Sequence, residues 1–150
     1  QIPCAVMRIF NVYGPGQRSS FLVPYVLDCL IGRRTMSLRM PEAKRDFVYI
    51  DDVTEGLIKA SELHTSGYRV YNLGTGTATR VLDLVSEAES IYGLSIGTGM
   101  ASAHPGEPIN VVADISRAKR ELEWSPQFEL ESGLSAIKTQ MSLSQEASSQ

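Results

Sequence analysis

Residues 44–52 read Lys44-Arg45-Asp46-Phe47-Val48-Tyr49-Ile50-Asp51-Asp52, and this stretch decides the fold. Its centre, residues 47–50, has the β-branched and aromatic content that is typical of a short buried strand. Apolar residues then recur at helical spacing, which predicts a helix that runs to about His64. Either Asp51 or Asp52 would be its N-cap, because a carboxylate there can accept hydrogen bonds from free backbone N–H groups.

Arg45 lies directly before this strand and has no comparable local role. It either forms an ion pair with its neighbour Asp46 or binds an anion, because the arginine side chain holds planar carboxylate or phosphate oxygens with two donors at once. The segment by itself leaves both alternatives open.

The composition is that of one globular domain, with 150 residues, 43% of them hydrophobic and 21% charged. No apolar run approaches the roughly 20 residues of a membrane-spanning helix, so we expect no membrane partner. Cys4 and Cys29 lie in apolar sequence without metal-ligand spacing, which predicts two buried free thiols and a reducing, cytoplasmic location. His64 and His104 are isolated from each other and from cysteine, so we predict no metal site.

Charge is unevenly distributed along the chain, although the net charge is only −3. Residues 1–45 carry seven basic and two acidic side chains, whereas residues 46–150 carry seven basic and fifteen acidic ones. The first third therefore either presents a positive field to an anionic ligand or carries ordinary solvated charge. There is no polybasic tract and no alternation of basic and aromatic residues, so we expect no nucleic-acid partner.

Strands and helices alternate along the chain, which predicts a single α/β unit. Residues 4–10 form an apolar run typical of a parallel strand buried on both faces, which in this chain alone would leave an exposed apolar edge. The Gly-Pro-Gly that follows predicts a loop over residues 11–17, at the edge where α/β sheets bind ligands. The other predicted elements are a short strand at 35–38, a strand at 68–73, helices at 21–30, 81–92, 114–122 and 130–141, an irregular segment at 94–108 and a disordered tail at 142–150.

Gly74-Thr75-Gly76 follows a predicted strand and precedes a helix, which is the position of a dinucleotide-binding loop. The third glycine of that motif is missing, since its place is taken by Thr79, which is better explained as the N-cap of the helix. We therefore do not predict phosphate binding at this loop. No complete catalytic constellation is present elsewhere, so we predict no catalytic residue in this chain.

Four motifs occur in a specific order along the chain. They are Arg8-Ile9-Phe10-Asn11-Val12-Tyr13-Gly14-Pro15-Gly16, Arg45-Asp46-Phe47-Val48-Tyr49-Ile50-Asp51-Asp52-Val53, Tyr71-Asn72-Leu73-Gly74-Thr75-Gly76, and Ala113-Asp114-Ile115-Ser116-Arg117-Ala118-Lys119 with Leu122-Glu123-Trp124-Ser125-Pro126. Together they resemble the carboxyl-terminal half of the NAD-dependent epimerase/dehydratase family, the extended short-chain dehydrogenases that modify nucleotide sugars. The resemblance covers about residues 4–140.

This resemblance implies an α/β fold, the carboxyl-terminal part of a Rossmann-type extended short-chain dehydrogenase with a late parallel strand and a small mixed α/β substrate-binding domain. Residues 1–141 would form the nucleotide-sugar-binding half, followed by the tail at 142–150. The family's glycine-rich NAD loop and its Tyr-x-x-x-Lys pair belong to an amino-terminal half that this sequence does not contain.

The resemblance also implies roles for individual residues around a nucleotide-diphosphate sugar. Phe10 would meet the nicotinamide end of NAD through its backbone, and Asn11 and Arg45 would contact the diphosphate; alternatively, Asn11 orders the Gly-Pro-Gly turn. Glu107 would accept hydrogen bonds from the ribose. His104 stands where the family usually has a second arginine, so we expect a weaker hold on the diphosphate that strengthens as the pH falls toward about 6.5.

Two further groups of residues match the substrate pocket of the family. Leu22, with Phe21 and Val23, would line the pocket, and Met36 and Leu38 lie on the short strand that packs beside the base.

The predicted function is that of the substrate-binding half of an NAD-dependent nucleotide-sugar epimerase of the UDP-glucose 4-epimerase type, or of a 4,6-dehydratase. The alternative is a non-catalytic module or fragment that binds nucleotide sugars. In either case we expect this chain alone to be inactive. Its partners would be a nucleotide-diphosphate sugar and, in the complete enzyme, the missing amino-terminal half or a homodimer partner.

Overall fold

The computed structural model of the protein describes residues 4–63, 67–102 and 106–147, with side chains as far as residue 143. The strands within these ranges are β1 (Cys4–Ile9), β2 (Asn11–Tyr13), β3 (Met36–Leu38), β4 (Lys44–Arg45), β5 (Phe47–Tyr49), β6 (Tyr68–Leu73), β7 (Thr79–Arg80), β8 (Thr98–Met100) and β9 (Asn110–Val111). The helices are α1 (Leu22–Ile31), α2 (Ile50–Glu62), α3 (Val81–Tyr92), α4 (Ser116–Glu121) and α5 (Leu130–Ala147).

Parallel pairing dominates the sheets. Strand β1 pairs with β6 over six residues, β2 pairs with β5, and β3 pairs with β8, all in parallel. Strand β4 lies between β7, which is antiparallel to it, and β9, which is parallel to it. The chain is therefore a mixed α/β unit with helices between its strands, as the sequence pattern predicts.

Strand β5 lies between two hydrophobic clusters, and the alternation of its side chains explains why. Phe47 and Tyr49 belong to one cluster, which also contains Leu30 and Leu134, whereas Val48 belongs to the other. Successive side chains of a strand point to opposite faces, so three residues contribute to both sides of the core. All three are at most 5% exposed, so the predicted burial is confirmed for residues 47–49. It is wrong for Ile50, which begins α2 and is 38% exposed.

Helix α2 begins two or three residues earlier than expected and without a capping side chain. Its N-cap is Tyr49, which makes no side-chain capping hydrogen bond, so the prediction that Asp51 or Asp52 caps this helix is wrong. Both acids lie in the first turn instead, where their negative charge interacts favourably with the positive end of the helix dipole. The buried carboxylate of Asp52 accepts hydrogen bonds from the backbone N–H groups of residues 127–128, at 2.8 and 3.0 Å. It therefore anchors a distant segment rather than the helix end.

Strand β1 is exposed over most of its length. Val6 is 36% and Ile9 44% exposed, and β6 is its single partner among the described strands. The expectation of a strand buried on both faces is wrong for this chain, and the expected exposed edge is confirmed. Cys4, at the start of this strand, is also exposed, which corrects the prediction of a buried thiol, whereas Cys29 is buried in α1 as predicted.

Other boundaries also differ from the sequence prediction. Residues 11–13, predicted as loop, form β2, and β8 lies within the segment 94–108 that was predicted to be irregular. Thr79 belongs to β7 and is not a cap, since Arg80 is the N-cap of α3. Helix α5 runs to Ala147, so the predicted tail is helical over residues 142–147. Helix α2 ends at Glu62, before the expected end at His64, which lies outside the described residues.

Within the described ranges, no helix combines the length and the apolar character that crossing a bilayer requires.

Candidate functional site

A cleft of about 660 Å³ lies between α1, β3 and the chain entering β5. It brings together eight of the ten residues that the sequence assigns to ligand binding. These eight are Phe10, Asn11, Phe21, Leu22, Val23, Leu38, Arg45 and Glu107. Residues from five separate stretches of the chain therefore meet around one space, although Phe10 and Glu107 lie 97 positions apart in the sequence.

The two remaining predicted residues are not part of this cleft as described. Met36 is completely buried in the hydrophobic core and does not line the cleft. Its neighbours on the strand, Ser37 and Leu38, line the cleft instead. His104 lies outside the described residues.

Arg45 is held in the cleft wall by three acceptors. Its Nη1 donates to the carbonyl oxygens of Lys44, at 3.0 Å, and Ile109, at 3.4 Å. Its Nη2 lies 3.4 Å from Oε1 of Glu107, and its side chain is only 14% exposed. Arg45 makes no ion pair with Asp46, so that alternative from the sequence is wrong; adjacent residues of an extended chain point to opposite sides.

The guanidinium of Arg45 has capacity for a further partner. An arginine side chain has five N–H donors, and three of them are used by the described residues. The two that remain match the number that a bidentate contact to phosphate requires. The contacts to Ile109 and Glu107 are also long, since strong charge-assisted hydrogen bonds measure about 2.7–2.9 Å.

Asp46 is the residue whose role the sequence did not reveal. It is fully buried, and its carboxylate accepts four hydrogen bonds of 2.6–3.0 Å from the backbone of Thr75, Gly76 and Ala113 and from the hydroxyl of Thr75. A Cβ at Gly74 would lie 2.7 Å from this carboxylate, which explains the glycine there. The loop at residues 74–76 thus binds the protein's own carboxylate where a phosphate would have to lie.

Asn11 joins this arrangement to the cleft. Both its backbone N–H and its side-chain Nδ2 donate to the carbonyl oxygen of Asp46, each at 3.1 Å. The side chain therefore fixes β2 to the chain entering β5, and does not order the Gly-Pro-Gly turn. One N–H of the amide and its Oδ1 are not used in these bonds and are available to a ligand in the cleft.

Phe10 is the one residue assigned to NAD, and its backbone is largely engaged. Its N–H donates to the carbonyl of Leu73 at 2.9 Å, and its carbonyl oxygen accepts from the N–H of Val12 at 2.6 Å. Among the described residues, that carbonyl oxygen accepts one backbone hydrogen bond, so its second lone pair can accept another. The aromatic ring is half-buried. These groups fit a contact to one end of NAD, but they would make only a small part of its site.

Several cleft residues were not singled out from the sequence. Arg39 places a second cation on the cleft wall, and Tyr25 supports the wall by accepting a hydrogen bond at its hydroxyl from the N–H of Ser37, at 3.0 Å. The signal for Arg39 was the basic excess of residues 1–45, two of whose arginines face the cleft. That excess therefore includes two positive charges on the wall of the cleft.

The described side chains offer no site for a metal ion, since no group of three or more His, Cys, Asp or Glu residues among them could hold one.

The chain is similar in sequence and structure to known proteins that act on nucleotide sugars. Residues 1–74 match the NAD dependent epimerase/dehydratase family. Over 147 residues the chain is 31% identical to UDP-glucose 4-epimerase of Bacillus subtilis (strain 168), covering 85% of this chain and 43% of that protein.

Solved structures of two enzymes resemble the chain along most of its length. UDP-glucose 4-epimerase from Thermotoga maritima with UDP-glucose superposes with a TM-score of 0.86, at 28% identity, over 94% of this chain and 46% of that one. UDP-glucuronic acid 4-epimerase from Bacillus cereus, in complex with UDP-glucuronic acid and NAD, superposes with a TM-score of 0.83, at 33% identity, over 93% of this chain and 46% of that one.

The fold is thus part of an extended short-chain dehydrogenase fold, and the predicted fold class is confirmed. The chain spans less than half the length of these relatives.

Proposed function

We propose that this chain is the carboxyl-terminal, nucleotide-sugar-binding half of an NAD-dependent nucleotide-sugar epimerase. The observation that carries the proposal is the cleft, in which a largely buried arginine with two unused donors faces the same space as amide and apolar side chains. We favour an epimerase over a 4,6-dehydratase because the relatives described above are all named as 4-epimerases.

Each wall of the cleft supplies one kind of contact to a nucleoside diphosphate sugar. Arg45 binds the diphosphate through its two remaining donors, and the free amide groups of Asn11 contact the same region. The carboxylate of Glu107 accepts hydrogen bonds from ribose hydroxyls. Phe21 and Leu22, on the opposite wall, exclude water from the bound ligand. These contacts hold the sugar in a fixed orientation, which is how positioning residues contribute to rate.

The reaction requires residues that this chain does not supply. NAD, when bound, supplies the hydride acceptor for the sugar, and Phe10 is the single residue here that we assign to its contact. We place the NAD-binding half against the open side of β1. The exposed side chains of Val6 and Ile9 support this, because parallel strands are normally covered on both faces. Without that half the chain is a binding module, which is the second predicted function.

The proposal is tested by calorimetry on the full-length protein with Arg45→Ala. Removal of a charge-assisted hydrogen bond costs about 1.5–3 kcal/mol, so we expect UDP-glucose to bind about 10- to 150-fold more weakly, with NAD binding unchanged. Arg120→Ala is the matched control, because Arg120 is an exposed arginine of α4 that pairs only with Glu121 among the described residues. Equal losses for UDP-glucose and NAD would contradict the assignment of Arg45.

The same preparation decides between the enzyme and the binding module. Conversion of UDP-glucose to its 4-epimer in the presence of NAD is expected for the full-length protein. Binding of UDP-glucose without conversion would instead favour the binding module.

A further inference from the structure

Arg45 and Glu107 form an ion pair with each other. In the proposed function they contact different parts of one ligand, Arg45 the diphosphate and Glu107 the ribose. We propose that Glu107 balances the charge of Arg45 until a diphosphate binds the two free donors of the guanidinium beside it, and that the repelled carboxylate then turns to the hydroxyl groups of the ligand. This inference rests on the proposed function and extends it, since it makes Glu107 a positioning residue that selects nucleoside diphosphates over bare diphosphate.

A buried cation needs a counter-charge, and Glu107 supplies it. The side chain of Arg45 is 14% exposed, so its charge is poorly solvated. Among the described residues, Glu107 is the single acidic side chain within ion-pair distance of it. The carboxylate therefore offsets the charge of the guanidinium and helps to hold it in position, together with the carbonyl oxygens of Lys44 and Ile109.

This ion pair is weak enough to be exchanged for a ligand. Its N···O distance is 3.4 Å, and the side chain of Glu107 is 35% exposed, so water already solvates part of the carboxylate. A phosphate offers the same kind of oxygen with more negative charge, and it repels a carboxylate that stays close to the same guanidinium. Arrival of the diphosphate therefore favours departure of Glu107 from Arg45.

The backbone that follows Glu107 is held in place. Pro108 follows it and restricts its backbone to extended conformations, and Ile109 is fixed to β4 by the hydrogen bond from the N–H of Lys44, at 2.8 Å. The side chain of Glu107 is 35% exposed, so its carboxylate can change rotamer while β4 and β9 keep their pairing.

Selectivity follows from the two positions of one carboxylate. A nucleoside diphosphate displaces Glu107 from Arg45 and then offers hydroxyl donors that the displaced carboxylate can accept. Inorganic pyrophosphate displaces it and offers no such donors. The displacement cost is therefore offset only for ligands that carry a sugar hydroxyl beside the phosphate.

Glu107→Gln in the full-length protein separates these two roles. We expect inorganic pyrophosphate to bind about two- to fivefold more tightly than to the wild type, which is the range of an exposed ion pair. The preference for UDP over pyrophosphate should fall at the same time. A general folding defect would weaken the binding of both ligands. Tighter binding of pyrophosphate therefore cannot result from structural damage. Both affinities are measured by calorimetry at one salt concentration.

Glu55→Gln is the matched control, because it removes one negative charge from an exposed pair with Lys59 on α2 and does not line the cleft. It should leave the affinity for pyrophosphate unchanged. Equal tightening in both variants, or weaker pyrophosphate binding by Glu107→Gln, would overturn the inference while the wild type still binds UDP. Failure of the wild type to bind UDP would instead refute the proposed function and this inference with it.

Discussion

Arg45 and Asp46 are adjacent in the chain, opposite in charge and both largely shielded from solvent, yet their hydrogen bonding differs. The carboxylate of Asp46 accepts four hydrogen bonds of 2.6–3.0 Å. Arg45 donates three, two of them 3.4 Å long. Short contacts that saturate a buried group hold the fold together. Long contacts that leave donors unused mark a group that can take a ligand.

Asp52 follows the pattern of Asp46 at the other end of β5. It is 3% exposed, and its carboxylate accepts hydrogen bonds from two consecutive backbone N–H groups, at residues 127–128. Both acids come from the segment that decides the fold, and each fixes a loop from far along the sequence. Charge at this segment therefore serves structure at two positions and, as we propose, binding at one.

Asp46→Ala should have the largest effect on stability. It leaves several buried donors without an acceptor, each at a cost of about 1–3 kcal/mol, so we expect the free energy of unfolding to fall by about 3–5 kcal/mol. Urea unfolding measures this change. Asp51→Ala, at an exposed acid five residues away, should change the free energy by about 0.5 kcal/mol or less. Equal effects of the two substitutions would show that the carboxylate of Asp46 is not what fixes the loop.

Gly74→Ala should have an intermediate effect. The new methyl group would lie 2.6 Å from Cβ of Ala113 and 2.7 Å from Oδ2 of Asp46, so the loop must shift, at a cost of about 1–3 kcal/mol. Gly97→Ala is the control, because its nearest atoms are 3.8 Å from the added carbon. The comparison is made from urea unfolding midpoints, and an unchanged midpoint for Gly74→Ala would argue against close packing at this loop.

Arg45→Ala should have the smallest effect on stability. It removes three weak contacts while Ile109 keeps its hydrogen bond from Lys44, so we expect a loss below about 1 kcal/mol. The same urea titration measures it beside Asp46→Ala. A loss as large as that of Asp46→Ala would remove the distinction between the two neighbours, and Arg45 would then be a structural residue.

The sequence predicted the cleft well because its residues lie in motifs whose order is informative. Asn11 and Arg45 belong to two separate motifs, and Glu107 was assigned from the family resemblance that these motifs support. The structure brings all three to one space. The buried strand was also predictable, since Phe47, Val48 and Tyr49 carry the composition of a core strand. These predictions depend on residue type at a position, which a sequence shows directly.

Contacts between distant segments were beyond such reasoning. Asp46 reaches Thr75 across 29 residues and Ala113 across 67, and no local pattern indicates either bond. Strands of three residues, such as β2 and β8, carry too few positions for an alternation to be recognised. The exposure of Cys4 was missed because burial of a strand depends on which neighbours it has, and its composition indicated only that it could be buried.

The position of Asp46 between β4 and β5 also determines how the cleft can open. Asp46 is the single residue between β4, in the three-stranded sheet, and β5, which pairs with β2. The four hydrogen bonds of its carboxylate restrict rotation at this residue. The wall that carries Arg45 is consequently rigid with respect to the core. We therefore expect any widening of the cleft for a bulky ligand to come from the wall at the amino-terminal end of α1.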